Sequence, residues 1–243
     1  MLRADAPRGN TMSAIRSQSC VSPASRGDGD ETAPATHDEL KALDRIGSHL
    51  HIAQNQTIFS QGEPVNHAYK VVSGVVRLCK HLPDGRRQIA QFLFPGDYFS
   101  FVSIGDHGFS AEAVVDLTLL SFPQKHVERL CQENPNLRVR LFDLLSQRVH
   151  DIQNHLTMVG RQTAKERVAA FLLLLAERLS SDGVRVSVPM NRQDIADYLS
   201  LTMETVSRTL SLLKATRIVS VPDLHQLELR NIDALHALAD GID

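Results

Sequence analysis

Apolar positions change their period along the chain, and each change predicts a different kind of element. Up to residue 36 there is almost no period, only Ser, Pro, Gly, Asp and Ala; such a segment buries too little surface to offset its ordering entropy, so disorder is expected. Met12 is an alternative start. HDELKALDRIG, His37 to Gly47, then places Leu40, Leu43 and Ile46 at helical spacing. Between about Ile52 and Phe122 come short β-rich runs separated by turn residues: TIFSQGE, AYKVVSGVVRLCKHL, PDGRRQIAQFLF, PGDYFSF and AEAVVDLTLLSF. Pro83-Asp84-Gly85 reads as a tight turn between two strands, and Gly62, Gly74 and Gly96 fall where strands bend or end. Strands this short and closely spaced predict an antiparallel sandwich or barrel-like roll.

Beyond Phe122 the pattern turns helical. QKHVERLCQEN predicts a short helix ending before Pro135, followed by a long one from about Asn136 to Gly160. The long helix carries Leu141, Leu145, Val149, Ile152, Leu156 and Val159 in steps of three and four, a narrow seam that needs a partner. The partner is either the chain's own β-roll or a second copy; we prefer the second copy. Gly160 is expected to end this helix and open a hinge. Thr163 and Glu166 then form a capping-box pattern at the start of TAKERVAAFLLLLAERLSS, whose FLLLLA reads as a buried helix rather than a membrane span.

NRQDIADYLSLTMETVSRTLSLLK, residues 191–214, divides into two short helices. Asn191 can cap Arg192–Leu199, with Asp194 at the box position, and Thr202 can cap the second helix after a turn through Ser200 and Leu201. Ile195, Ala196 and Leu199 give the first its buried face, and Val206, Leu210 and Leu213 the second. Two helices so joined make a helix-turn-helix, whose second helix enters the major groove. Glu204, Ser207, Arg208 and Ser211 are left facing outward. Arg can donate twice to guanine, Glu can accept from cytosine, and Ser can contact several groups. Glu204 lies four residues before Arg208 and could position its guanidinium. IVSVP and LHQLELR, either side of Pro222-Asp223, resemble the wing of a winged helix; Thr163, Arg192 and wing polar groups are candidate phosphate contacts.

Composition narrows the function class. A formal net charge of -2 over 243 residues argues against a protein that coats nucleic acid nonspecifically. Residues 161–217 nevertheless hold nine Lys/Arg against six Asp/Glu, which permits DNA binding locally. Cys20, Cys79 and Cys131 form neither a disulfide framework nor a CxxC metal pair. No apolar stretch of about 18 residues and no secretory signal is present, so a cytoplasmic place without a membrane partner is expected. The dispersed histidines form no HExxH, and no GxSxG, P-loop or dinucleotide fingerprint occurs, so an enzyme is not expected. Cys79-Lys80-His81 puts two potential ligands on one side of a strand; ordinary strand residues are the expectation, with Cys79 also an oxidation candidate and Cys131 a small core residue.

From about Asp38 to Arg230 the order of parts resembles the Crp/Fnr family of bacterial transcription regulators. NRQDIADYLSLTMETVSRTL is similar to its Fnr and FixK branch, where recognition helices carry E-x-x-S-R, matched here by Glu204, Ser207 and Arg208. The cAMP-receptor branch has Arg before the Glu and Gly in place of the Ser; Met203 and Ser207 stand here. Cyclic-AMP binders resemble G-E-L followed about ten residues on by R-S-A, whereas Ser100-Phe101-Val102 and Phe109-Ser110-Ala111 would leave the nucleotide's charge unpaired. The cysteine set of an iron–sulfur sensor is also lacking, since only Cys20 lies in the N-terminal region. Haem-sensing relatives carry their ligand pair at the stretch occupied here by Ser100 to Val102, not at Cys79 and His81.

The resemblance therefore implies a FixK-like regulator without a recognisable cofactor. It implies a homodimer on a palindrome like TTGAT-N4-ATCAA, an activator's contact with RNA polymerase, and targets in microaerobic, nitrogen-oxide or nitrogen-fixation metabolism. The expected architecture is α+β: a tail (1–36), a cyclic-nucleotide-binding-like antiparallel β-roll (37–134), a dimerisation helix (135–160), a winged helix-turn-helix (161–230) and a C-terminal tail (231–243). The competing expectation is a receptor whose roll binds an unidentified small effector and gates DNA binding.

Overall fold

The computed structural model describes residues 38–101, 105–223 and 225–242. The expected disorder of residues 1–36, Met12, Cys20 and Val102 lie outside the described residues. Helix α1 (Asp38–Ile46) leads into β1 (Ser48–Ile52), β2 (Thr57–Phe59), β3 (His67–Ser73), β4 (Val76–His81), β5 (Arg87–Leu93), β6 (Tyr98–Phe99), β7 (Ser110–Ala113) and β8 (Leu117–Pro123). They pair as two antiparallel four-stranded sheets, ordered β1-β8-β3-β6 and β2-β7-β4-β5. Strand β1 escapes the apolar pattern because SHLHI is nearly all exposed, an edge strand held by pairing with β8.

Alternation along β4 separates two interiors. Val76 and Leu78 pack into the roll with Phe59, Tyr69, Val71, Leu93 and Phe99, while Cys79 points to the opposite face. Rings fill the roll: Phe59 stacks on His107 at 3.6 Å between centroids, and Tyr69 on Phe99 at 5.2 Å. The Pro83-Asp84-Gly85 turn joins β4 to β5 as expected, with Gly85 at φ +85° and Leu82 N donating to Arg86 O at 2.8 Å.

Helix α2 (Gln124–Glu133) is followed by α3 (Pro135–Arg161), capped by Asn134, whose side chain accepts from Leu137 N. The start of α3 carries two apolar stripes. Leu137 and Leu141 are buried with Leu40, Leu43, Phe122 and Val127, so Leu141 belongs to the protomer's own core and not to the seam. The outward seam begins one residue later, because the first turns of α3 must also satisfy α1 and α2. It runs Phe142, Leu145, Val149, Ile152, Leu156, Val159, with Phe142 68% and Leu156 65% exposed. The spacing is the alternating three and four of a left-handed coiled coil. Arg148 pins the other side of α3 to the roll, donating to Gln91 Oε1 at 2.9 Å and Tyr98 O at 2.6 Å.

Gly160 does not end α3. The helix continues to Arg161, and the break falls at Gln162 and Thr163, because Thr163 caps α4 (Ala164–Leu179) through the expected box with Glu166. FLLLLA lies in α4, where Phe171, Leu172 and Leu175 are buried. The remaining elements are β9 (Arg185–Ser187), α5 (Arg192–Leu199), α6 (Met203–Ala215), β10 (Val219–Asp223), β11 (Gln226–Leu229) and α7 (Ile232–Ala239), with the sheet ordered β10-β11-β9. The expected tail after residue 230 is thus corrected: Leu235 and Ala239 bury α7 against the core that contains α4. Among the described residues no helix is long and apolar enough to cross a membrane.

Candidate nucleic-acid interface

Helices α5 and α6 fold for local reasons legible in their caps. Asn191 Oδ1 accepts from Asp194 N at 2.8 Å, and Thr202 Oγ1 accepts from Thr205 N at 3.2 Å. Between them Ser200 adopts a left-handed conformation (φ 53°, ψ 48°), reversing the chain so that Leu201 N reaches Ala196 O at 3.0 Å. Arg167 of α4 supports this turn from below, donating to Leu199 O at 2.9 Å and to Ser200 O at 3.4 Å. Ile195, Ala196, Leu199, Val206, Leu210 and Leu213 are all buried, as expected from their spacing.

That burial leaves Thr202, Glu204, Ser207, Arg208 and Ser211 exposed on α6. Glu204 and Arg208 share the face but form no ion pair among the described residues. The Glu204 carboxyl is instead held below its usual pKa by its own backbone amide in the first helical turn, by the Thr202 hydroxyl and then by the Arg208 charge. Its carboxylate is therefore ionised and ready to accept, and the Arg208 guanidinium is free to reach outward. Ser211 gives its hydroxyl proton to Ser207 O at 2.9 Å, which leaves its oxygen as an acceptor only. Arg192 is half-buried; desolvation lowers its pKa, and no ion pair engages it among the described residues, so a phosphate would supply a missing counter-charge.

Asp194 departs most from expectation. It sits at the box position of α5, yet its carboxylate is buried between two arginines of the β-roll. Arg77 Nη1 donates to Asp194 Oδ2 at 3.1 Å and Arg87 Nη2 to Asp194 Oδ1, while Arg87 Nε also donates to Asp197 Oδ2 at 2.8 Å. Gln88 Nε2 adds a bond to Asp197 O at 2.7 Å, and Arg77 Nε is held in turn by Glu112 Oε2 at 2.8 Å. Beside this polar clasp the outer face of β5 continues into the helical core, with Phe92 5.2 Å from Tyr198 and 6.1 Å from Phe171 between ring centroids. An open cleft of about 1060 Å³ separates the β4–β5 turn (Leu82, Gly85, Arg86) from the N-terminal turn of α6 (Thr202, Met203, Glu204, Thr205). Sequence reading missed the clasp because its partners lie more than 100 residues apart.

Cys79 is fully buried beneath α5, and burial first, then Glu112, pushes its thiol up to about 12. A thiol so protonated is a poor nucleophile, which counts against Cys79 as an oxidation candidate and agrees with the expected ordinary strand residue.

Two families match the chain: the cyclic nucleotide-binding domain over residues 49–134 and the Crp-like helix-turn-helix domain over residues 166–238. The nitrogen fixation regulation protein FixK of Bradyrhizobium diazoefficiens is 40% identical over 188 residues, which cover 75% of this chain and 78% of that protein. The transcriptional activatory protein AadR of Rhodopseudomonas palustris is 38% identical over 212 residues, 85% of this chain and 87% of that one. The solved structure of FixK2 from Bradyrhizobium japonicum superposes with a TM-score of 0.77 at 36% identity, covering 79% of this chain and 97% of that one.

Proposed function

Since the chain belongs to the Crp/Fnr family of DNA-binding transcription regulators, which are not enzymes, we propose that it reads an Fnr-type palindrome through α6 as a homodimer. One observation carries this reading: Glu204, Ser207 and Arg208 share the one exposed stripe of a capped helix whose other face is buried. Arg208 takes a guanine, Glu204 a cytosine amino group, and Ser207 tunes the choice. Thr202 and Arg192 fix the helix on the phosphate backbone, while the acceptor of Ser211 takes a donor such as a base amino group. The seam from Phe142 to Val159 joins two copies and sets the spacing of their readers on successive major grooves.

Likeness to FixK and AadR supports an activator that contacts RNA polymerase in the cytoplasm, with targets in microaerobic or nitrogen metabolism. The division into β-roll, connecting helix and reading head is part of the same proposal. Gel shifts on a TTGAT-N4-ATCAA duplex test it: Arg208→Ala should lose about 1–3 kcal/mol per half-site, a factor of about 5 to 150, and tolerate changes at the contacted base pair. Equal losses on a scrambled duplex would remove Arg208 from base readout.

A second element of the proposal is that the roll gates the head. The clasp of Arg77, Arg87 and Gln88 on Asp194 and Asp197 supports it, as does the cleft that sets the β4–β5 turn opposite the start of the reading helix. That turn stands across the cleft from the N-terminal turn of α6, the end of the helix that would enter a groove roughly 12 Å wide, so docking of the head on the roll bears on access to DNA. DNA affinity unchanged by loss of the clasp would exclude the gate.

A further inference from the structure

The face of β4 that looks toward α5 brings together three side chains that the DNA-reading face does not use. Cys79 and His81 alternate onto that face, and Glu112 of the neighbouring strand β7 reaches the same place. The Cys79 Sγ, a His81 ring nitrogen and a Glu112 carboxylate oxygen all lie within 4.8 Å of one another. A register shift between Leu78 and Cys79 in the β4–β5 pairing turns this part of the strand, and Cys79 packs opposite Ile89 and Ser110. Cys79 is the buried floor of the cluster, Glu112 is half-buried, and His81 is exposed at the rim, which leaves an entry from solvent on one side.

We propose that Cys79, His81 and Glu112 form a three-ligand site for a thiophilic divalent cation of the zinc class, with water or an exogenous ligand in the fourth position. Thiolate, imidazole and carboxylate together are a donor set that zinc takes tetrahedrally, and the bond lengths to these donors set ligand–ligand edges of about 3.3–3.6 Å. The donors already lie within 4.8 Å of one another, so closing to that size takes at most about 1.5 Å of side-chain movement. On binding, the Cys79 S–H bond is replaced by an S–metal bond and the proton leaves to solvent. Magnesium and calcium, which prefer oxygen ligands, do not suit the set.

The site is joined to the gate. Glu112 is also the carboxylate that holds Arg77 Nε at 2.8 Å, and the same arginine reaches Asp194 of α5 at 3.1 Å. A cation that draws Glu112 into its own shell takes a counter-charge from Arg77, and the arginine's hold on Asp194 changes with it. This linkage rests on the gated reading given above. The site does not, since binding is read without DNA.

Cobalt(II) is the probe, titrated into the reduced full-length chain. The expected result is one ion bound per chain, with a thiolate-to-cobalt charge-transfer band and visible bands of tetrahedral intensity, displaced by stoichiometric zinc. Cys79→Ser should abolish the charge-transfer band, and His81→Ala should weaken binding at least 10-fold. His81 is exposed, so that variant keeps its fold and remains informative if Cys79→Ser does not. Cys131→Ser should bind as the parent does. No stoichiometric binding, a band that survives in Cys79→Ser, or affinity unchanged in His81→Ala each overturns the site. With the site established, zinc should change hinge proteolysis severalfold in the parent and not in His81→Ala; identical proteolysis overturns the linkage.

Discussion

Arg167 shows how much a single side chain can hold. Its guanidinium gathers the carbonyls of Leu199 and Ser200 at the helix-turn-helix bend, and its Nε donates to Gln162 O at 2.9 Å, at the break between α3 and α4. These oxygens are the unsatisfied acceptors of a helix end and a left-handed turn, and hydrogen bonds from a charged donor are worth about 1.5–3 kcal/mol. Arg167→Met keeps the aliphatic stem and removes the donors; urea denaturation should show a loss of that size, with Arg167→Lys in between. A midpoint unmoved in Arg167→Met would mean that the turn holds itself. The reading stripe itself was legible from residue spacing, because caps at Asn191 and Thr202 and the apolar set from Ile195 to Leu213 are local signals. Arg167 and Asp194 were not legible in their roles. Each acts on groups that only the tertiary fold brings near, and a box-like position hid Asp194's use as a partner of Arg77 and Arg87.

Among the described elements, α3 carries the most exposed large apolar side chains. Val149, Ile152 and Leu156 stand 54%, 46% and 65% exposed, a continuous stripe that a second α3 would cover by knobs-into-holes packing. Leu156→Glu adds two buried charges at such an interface without touching the protomer's own core. Sedimentation should then report a monomer at concentrations where the parent is a dimer, and affinity for the palindrome should fall toward that of a half-site. A variant that stays dimeric would move the interface elsewhere. The seam's period was readable, but its first member was not, since Leu141 and Phe142 are both apolar and only the packing of α1 and α2 decides which turns inward. Strand β9 and helix α7 were missed for related reasons: three residues carry too little pattern, and a short helix at a chain end resembles a tail until its Leu235 is seen buried.

At the scale of the molecule, the roll and the head share one apolar cluster and two charge contacts, the clasp on α5 and the Arg178–Asp97 pair from α4. Asp194 is 1% exposed between guanidiniums 8% and 21% exposed, so solvent screens these pairs weakly. Truncating one member of a buried pair costs about 2–5 kcal/mol, largely through the charge left behind. Asp194→Asn keeps the backbone amide that Asn191 caps while removing the shared anion. We expect faster proteolysis at the hinge and, where the docked head excludes DNA, affinity raised severalfold; gel shift and limited trypsin digestion together check it. Faster digestion without tighter binding would leave a structural clasp that does not gate.

The break between α3 and α4 is also tied from an unexpected direction. Gln162 Nε2 donates to Ala239 O at 3.0 Å, so the last helix braces the joint at which the head would swing. Ile242, just beyond that helix, is 65% exposed and belongs to none of the surfaces assigned to bases, cation or second copy. A fluorophore carried there would ride on the pivot and register each swing of the head as it happens, leaving the chemistry that it reports undisturbed.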